Sequence, residues 1–325
     1  MFPPIVYLPN QFGRMDVFFL VLGLILLIAG GDFLLKGSVD LSLRLSIPKI
    51  VVGMTVVSLV TSAPELIVSL QSALQGFPDL ALGNVVGSNL ANLGLVLGIT
   101  LLIGSLDIRR SFYFVDWPVM MLASLLFYFF IASDGMLGRI EGIFMVVALF
   151  IFLIYLLRFQ KPAVAEVPQE FVNVLPWYKT IFFLVVGGVA LWGGSEILIS
   201  GAVGLATDLG IGERIIGITL VSVGTSIPEL SASVMAMIRK EKAISVGNLI
   251  GSNIFNLLAV LGITAIIYPI HVIDDHLIDS DLLWMLGISF LVLPLVFFPK
   301  GQRLNWKDGL ILLAVYATFL FTTFS

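Results

Sequence analysis

No cysteine occurs in the 325 residues, and only two are histidine. Disulfides and thiolate metal centres are therefore excluded. A zinc or copper site built from imidazole has almost nothing to draw on. Charge is scarce too. Asp, Glu, Lys and Arg make up 12% of the chain, about half the share of an ordinary soluble domain. No polar stretch is long enough to fold as a soluble domain by itself. The space is taken by apolar residues, 59% of the chain, with a mean hydropathy of +1.09. These values describe a polytopic membrane protein. Residues 1–15 hold three prolines and no basic segment leading into a short apolar core, so no cleavable signal peptide is expected. Met15, just before the first apolar run, reads as an alternative start.

A bilayer-spanning helix needs about 20 apolar residues. The hydropathy pattern predicts ten spans, at 16–36, 47–74, 80–104, 114–133, 138–158, 178–203, 211–238, 243–269, 281–299 and 307–324. The longest polar break, Gln160 to Lys179, divides them five and five. The expected organisation is an extracytoplasmic segment 1–15, a first five-helix unit 16–159, a linker 160–178 and a second unit 179–325. With this assignment, 14 of the 17 Lys and Arg residues fall on one side, and only Arg14, Arg139 and Arg214 on the other. The positive-inside rule then puts both termini outside and the linker in the cytoplasm, as in a prokaryotic inner membrane. Five is odd, so the second unit enters the membrane upside down. Inverted repeats of this kind build secondary transporters, with the substrate near the midplane.

The sequence itself carries the repeat. Gly53–Thr100 aligns without a gap on Gly217–Thr264, with about 22 of 48 positions identical at a constant offset of 164. Each copy sets one acid, Glu65 or Glu229, in an apolar run. An acid at the bilayer centre costs on the order of 3 kcal/mol, and two at matched positions imply a shared purpose. Each follows Thr-Ser-x-Pro: Thr61-Ser62-Ala63-Pro64 and Thr225-Ser226-Ile227-Pro228. Proline removes a donor and clashes one turn back, which predicts a broken helix whose freed carbonyls need partners. The next span of each copy supplies Gly-Asn-x-x-Gly-Ser-Asn. Ser88 and Asn92, like Ser252 and Asn256, are four residues apart and share a helix face. Carboxylates, hydroxyls, amide oxygens and carbonyls form an all-oxygen shell suited to a hard cation such as Ca²⁺. Two ionised Glu facing one pocket repel; a divalent cation cancels both charges, and sodium ions or protons can do so in its absence.

These paired motifs resemble the alpha-1 and alpha-2 repeats of the calcium/cation antiporter superfamily, in particular its prokaryotic sodium/calcium exchanger-like members. The resemblance implies an all-α integral membrane protein: ten helices in two inverted five-helix repeats, with broken helices 2, 3, 7 and 8 around a midplane ion site. It implies a non-enzymatic antiporter that exchanges Ca²⁺ for Na⁺ by alternating access. Its ion ligands would be Thr61, Ser62, Glu65, Ser88 and Asn92, with Thr225, Ser226, Glu229, Ser252 and Asn256. Backbone carbonyls near Ser58 and Ser222 would add to them. No cofactor, nucleic acid or protein partner is implied, only small cations and membrane lipid. Val60 departs from the family's usual Gly before Thr-Ser, where Gly224 keeps it. Asn256 stands where some relatives carry Asp, so a third carboxylate is missing. The second motif also lacks the acid typical of proton-coupled members, which favours sodium over protons. Proton coupling, another divalent such as Mn²⁺ or Mg²⁺, and a cation channel are the alternatives.

The repeat extends backwards, pairing Gly30-Gly31-Asp32 with Gly194-Ser195-Glu196. Asp32 and Glu196 read either as gate residues or as interfacial acids held by local bonds. Asn84, Asn89, Asn248 and Asn253 read as glue between helices, and the acidic loop His271–Asp281 as a solvated surface.

Overall fold

The computed structural model describes residues 12–159, 175–208, 222–274, 276–298 and 301–324. Segment 1–11, linker residues 160–174, the 209–221 stretch that opens the expected seventh span, Arg214, Asp275 and the Ser222 side chain lie outside the described residues. The described chain is helical apart from four two-residue strands. Seven of its helices are long and apolar enough to cross a membrane, or eight if one bent pair counts as a single span.

Helix α1 runs from Phe12 to Leu45, well past the expected end at residue 36. Lys36 and Arg44, expected in a loop, lie on its last turns. There they pair one turn back with Asp32 (2.7 Å) and Asp40 (3.8 Å). These i,i+4 pairs carry the helix beyond its apolar stretch. Ser46, with a left-handed φ of 53°, ends it. Helices α2 (Lys49–Thr61) and α3 (Ala63–Leu74) form the bent pair, with 43° between them. Then come α4 (Pro78–Ile103), α5 (Phe112–Asp134) and α6 (Arg139–Phe159). The second half runs through α7 (Trp177–Asp208), a single turn Ser222–Gly224, α8 (Ile227–Ile238), α9 (Lys242–Ile267), α10 (Leu277–Phe297) and α11 (Trp306–Phe324).

Spans 3 and 8 are not broken, contrary to expectation. Helices α4 and α9 are continuous, with a π-helical turn at Asn92–Val96 and Asn256–Leu261 respectively. The physical reason is that neither has a proline in its interior. Without such a break each helix only widens at one turn, a feature that often marks functional positions.

Helices α1 and α7 lie antiparallel at close range. Gly23, Gly30 and Gly37 back onto Leu198, Leu191 and Leu184, while Gly187, Gly194 and Gly201 back onto Leu34, Leu27 and Leu20. The numbers in every pair sum to 221, and each glycine is seven residues from the next. A Cβ added at any of the six would lie 2.5–2.9 Å from the opposite helix, so only glycine permits this approach. The pair packs on the rest through its own apolar seam, in which Leu27, Leu34 and Leu191 meet Val57, Ala232, Ala236 and Ile244. A larger core joins α4, α5, α6, α9 and α10.

Short strands lace the two halves together. β1 (Leu106–Asp107) pairs with β4 (Arg303–Leu304), and β2 (Met136–Leu137) with β3 (Ile270–His271). Strands β1 and β3 are separated by the same 164 residues as the motifs. The length of α5 puts β1 and β2 at opposite ends of the bundle.

Candidate ion site

The two Thr-Ser-x-Pro-Glu segments adopt the same local geometry. Ser62 (φ −85°, ψ 3°) and Ser226 (φ −88°, ψ 2°) leave helical torsions, and α3 and α8 start immediately after them. Pro64 and Pro228 sit in the first turn, where a missing N–H costs nothing. Glu65 and Glu229 follow in that same turn, at the helix end whose dipole favours negative charge. In the first copy the break is a bend of 43° rather than an unwound stretch. Ser58 O, expected to be free, accepts from the Ser62 N–H at 2.9 Å. The carbonyl that Pro228 deprives of its helical donor is Gly224 O, and the Ser195 hydroxyl donates to it at 3.0 Å.

Each bend packs against the other half's Ser/Asn helix. The Thr61 and Ser252 hydroxyls are 3.3 Å apart, and those of Ser88 and Thr225 3.1 Å apart. Residue 61 plus the repeat offset is 225, and 88 plus the offset is 252, so one contact is made twice with the halves exchanged. Ser62 Oγ donates to Glu229 Oε1 at 3.4 Å, and Thr61 and Ser252 also approach that carboxyl. Glu65 lies close enough to Glu229 to interact electrostatically. Glu65, Glu229, Ser88, Ser252, Asn92 and Asn256 are all 0% exposed. The structure therefore gathers Thr61, Ser62, Glu65, Ser88, Thr225, Ser226, Glu229 and Ser252 into one buried cluster, with Asn92 and Asn256 opening the π turns on the same two helices.

Several polar atoms of this cluster have no hydrogen-bond partner among the described residues. They are both Glu65 carboxyl oxygens, Glu229 Oε2, Ser226 Oγ, Asn256 Oδ1 and both amide atoms of Asn92. Buried polar atoms are nearly always satisfied, and each exception asks for an explanation. Nearly all of these are oxygens, and they gather around two acids. That is the donor set of a hard cation, which takes 6–8 oxygens at flexible geometry.

The comparisons with known proteins agree with this geometry. The family model described as sodium/calcium exchanger protein matches the chain twice, over residues 15–158 and 179–325. The chain belongs to this family. Among the exchanger family's relatives, CaxA of Alkalimonas amylolytica is 36% identical over 319 residues, covering 94% of this chain and 98% of CaxA. The sodium/calcium exchanger MaX1 of Methanosarcina acetivorans is 29% identical over 353 residues, covering 94% and 97%. Among solved structures, the sodium-calcium exchanger NCX_Mj soaked with zero Na⁺ and Ca²⁺ superposes with a TM-score of 0.81 at 25% identity, covering 94% of this chain and 98% of that one. The chain is thus an integral membrane protein of the exchanger family with the NCX_Mj fold.

The remaining residues expected at or near the exchanger site make contacts of their own. The Ser58 hydroxyl donates to Gly53 O (2.9 Å) and Asn248 O (3.1 Å), tying α2 to α9. Ser222 begins the single turn Ser222–Gly224. Asp32 is held by Lys36 and by Arg239 (2.6 Å), and Glu196 is exposed, so neither touches the cluster. Val60 does not distort the bend, because its torsions stay helical. Its side chain fills the notch over Gly188, where a Cβ would meet Val60 Cγ1 at 2.5 Å. Two residues that sequence reasoning passed over matter here: Ser69 and Ser233 accept from the Asn84 and Asn248 amides behind the acids. Their signal was present, since both copies place Ser four residues after Glu.

Proposed function

We propose that this protein is a secondary antiporter that exchanges Ca²⁺ for Na⁺ by alternating access around Glu65 and Glu229. The carrying observation is the pair of fully buried carboxyls, related by the repeat offset and surrounded by unpartnered oxygens. The ligands on this reading are Thr61, Ser62, Glu65, Ser88 and Asn92 with Thr225, Ser226, Glu229, Ser252 and Asn256, and the carbonyls near Ser58 and Ser222 contribute. Calcium cancels both charges in one step, and sodium ions replace it singly. Relatives named as sodium/calcium exchangers support the choice of ions.

The architecture proposed is ten helices in two inverted units, 16–159 and 179–325. The seven apolar helices, the bent pair, Ile227–Ile238 and Trp306–Phe324 together supply ten. The exchanged hydroxyl contacts and crossed strands support a two-fold relation between the units. The Lys/Arg distribution supports extracytoplasmic termini in an inner membrane. Asp32 and Glu196 are proposed gates only in the sense of flanking the site; the ion pairs of Asp32 favour a holding role.

Proteoliposomes loaded with sodium and diluted into sodium-free calcium medium test the reading. Calcium uptake is expected in the wild type, with loss in Glu65→Gln and Glu229→Gln. Uptake driven by a proton gradient but not by sodium overturns the choice of counter-ion. Retained exchange in both variants overturns the site.

A further inference from the structure

Behind each acid sits an asparagine that is not in the proposed ligand set. Asn84 Nδ2 donates to Ser69 Oγ at 3.0 Å and lies 3.4 Å from Glu65 O. Asn248 Nδ2 donates to Ser233 Oγ at 2.9 Å and lies 3.3 Å from Glu229 O. All four contacts repeat at the offset of 164. Each amide thus fixes the first turn of α3 or α8, where the acid stands, to the neighbouring span. Asn248 does more, because Thr61 Oγ1 is 3.2 Å from its Oδ1.

The direction of that bond is determined. A backbone carbonyl only accepts, so the side of Asn248 facing Glu229 O must be the NH₂ group. The other side, facing Thr61, is then the amide oxygen, which also only accepts. In the Thr61–Asn248 contact the hydroxyl is therefore the donor. With the proton turned away, the Thr61 oxygen presents lone pairs to the acids and to Ser252 at 3.3 Å. That is the orientation a cation requires, and the opposite orientation would aim a partial positive charge at it. Thr61 Oγ1 also lies 3.4 Å from Ser58 O, a longer contact than the 3.2 Å to Asn248, and the Glu229 carboxyl competes for the same proton.

We infer that Asn248 is a positioning residue for cation binding: it orients the Thr61 hydroxyl across the interface between the halves while holding the Glu229 turn. Asn84 is its mate for the Glu65 turn. The inference rests on the reading of this cluster as the calcium site. Partners of this kind typically change metal affinity by about 10–100-fold.

A double-mutant cycle on the full-length protein in proteoliposomes tests it, with half-saturating Ca²⁺ for exchange as readout. Let the Thr61→Val penalty be the factor by which that substitution raises half-saturation. It is expected to be near the wild-type factor in Asn248→Asp, which keeps an acceptor for Thr61. It is expected to fall to within about twofold of unity in Asn248→Ala, where the hydroxyl is no longer directed. Loss of packing alone leaves the penalty equal in both backgrounds. A full penalty in Asn248→Ala overturns the inference, and so does a lost penalty in Asn248→Asp. If the Ala variant does not fold, Asn248→Leu, which keeps the volume without an acceptor, takes its place with the same expected loss of the penalty and the same overturning result. Wild-type protein without calcium exchange, or Glu65→Gln protein with undiminished exchange, would instead break the functional reading on which the inference stands.

Discussion

Replacing Glu65 by Gln should have opposite effects on the ion-free and the calcium-loaded protein. In the ion-free state two fully buried carboxyls face each other, and both Glu65 oxygens lack a partner among the described residues. At an effective dielectric constant of about 20, two like charges sharing one site repel by roughly 3 kcal/mol. The Gln amide removes that repulsion and offers Glu229 a donor. Protons that neutralise either carboxyl shrink the gain, so it is largest at a pH where both are ionised. For a protein of this size 1 kcal/mol corresponds to about 2 °C in Tm, so the variant should melt about 5 °C higher in chelator and sodium-free buffer. Calcium reverses the comparison. At a hundred times Kd it stabilises the wild type by about 2.7 kcal/mol. Losing one of two buried counter-charges costs about 3–5 kcal/mol, so the variant should gain almost nothing at the same calcium concentration. Intrinsic-fluorescence melting of detergent-purified protein, in chelator and in calcium, reads both quantities. A variant that melts below wild type in chelator, or that shows the same calcium-dependent rise, would refute the idea that these acids confront each other across one cation.

Two further outcomes follow from the packing. Gly187→Leu should abolish monodisperse protein on size exclusion, because even a Cβ there falls 2.5 Å from the Leu34 backbone nitrogen. Gly287→Ala, at an exposed position with nothing within 4 Å, is the neutral control. Ser195→Ala strips the Gly224 carbonyl of its donor and should cost about 1–3 kcal/mol in thermal or denaturant unfolding. Adding Pro228→Ala restores a helical N–H to that carbonyl and should recover most of the loss. Absence of recovery would mean that Ser195 stabilises by some other contact.

The repeat made much of the site legible in sequence. Glu65, Glu229 and their Thr, Ser and Asn companions could be named because the two copies share a register, and a shared register forces shared geometry. The bends at Ser62 and Ser226 were legible from Pro64 and Pro228. Less accessible was the consequence of each bend. Ser58 O keeps its N–H partner, because a proline affects only the carbonyl four residues before it. The π turns at Asn92 and Asn256 were invisible, since a single widened turn leaves the apolar periodicity of a buried helix unchanged. The extent of α1 was missed because a hydropathy scale counts Lys36 and Arg44 as loop residues, whereas Asp32 and Asp40 pair with them within the helix. The seven-residue glycine rhythm of α1 and α7 was present in the sequence but only gains meaning once the two helices are seen to face each other.

That rhythm bears on how the chain can change over evolutionary time. All six glycine–leucine pairs satisfy one equation, so they share a single degree of freedom. Point substitutions at the outward positions of α1 and α7 leave the equation untouched and should accumulate freely. One inserted or deleted residue inside either helix turns everything beyond it by about 100°. It thereby carries the glycines off the opposing leucine backbones at every pair past the lesion. Length changes within these helices should therefore be purged, however conservative the residue added, while compensated changes of seven residues remain open.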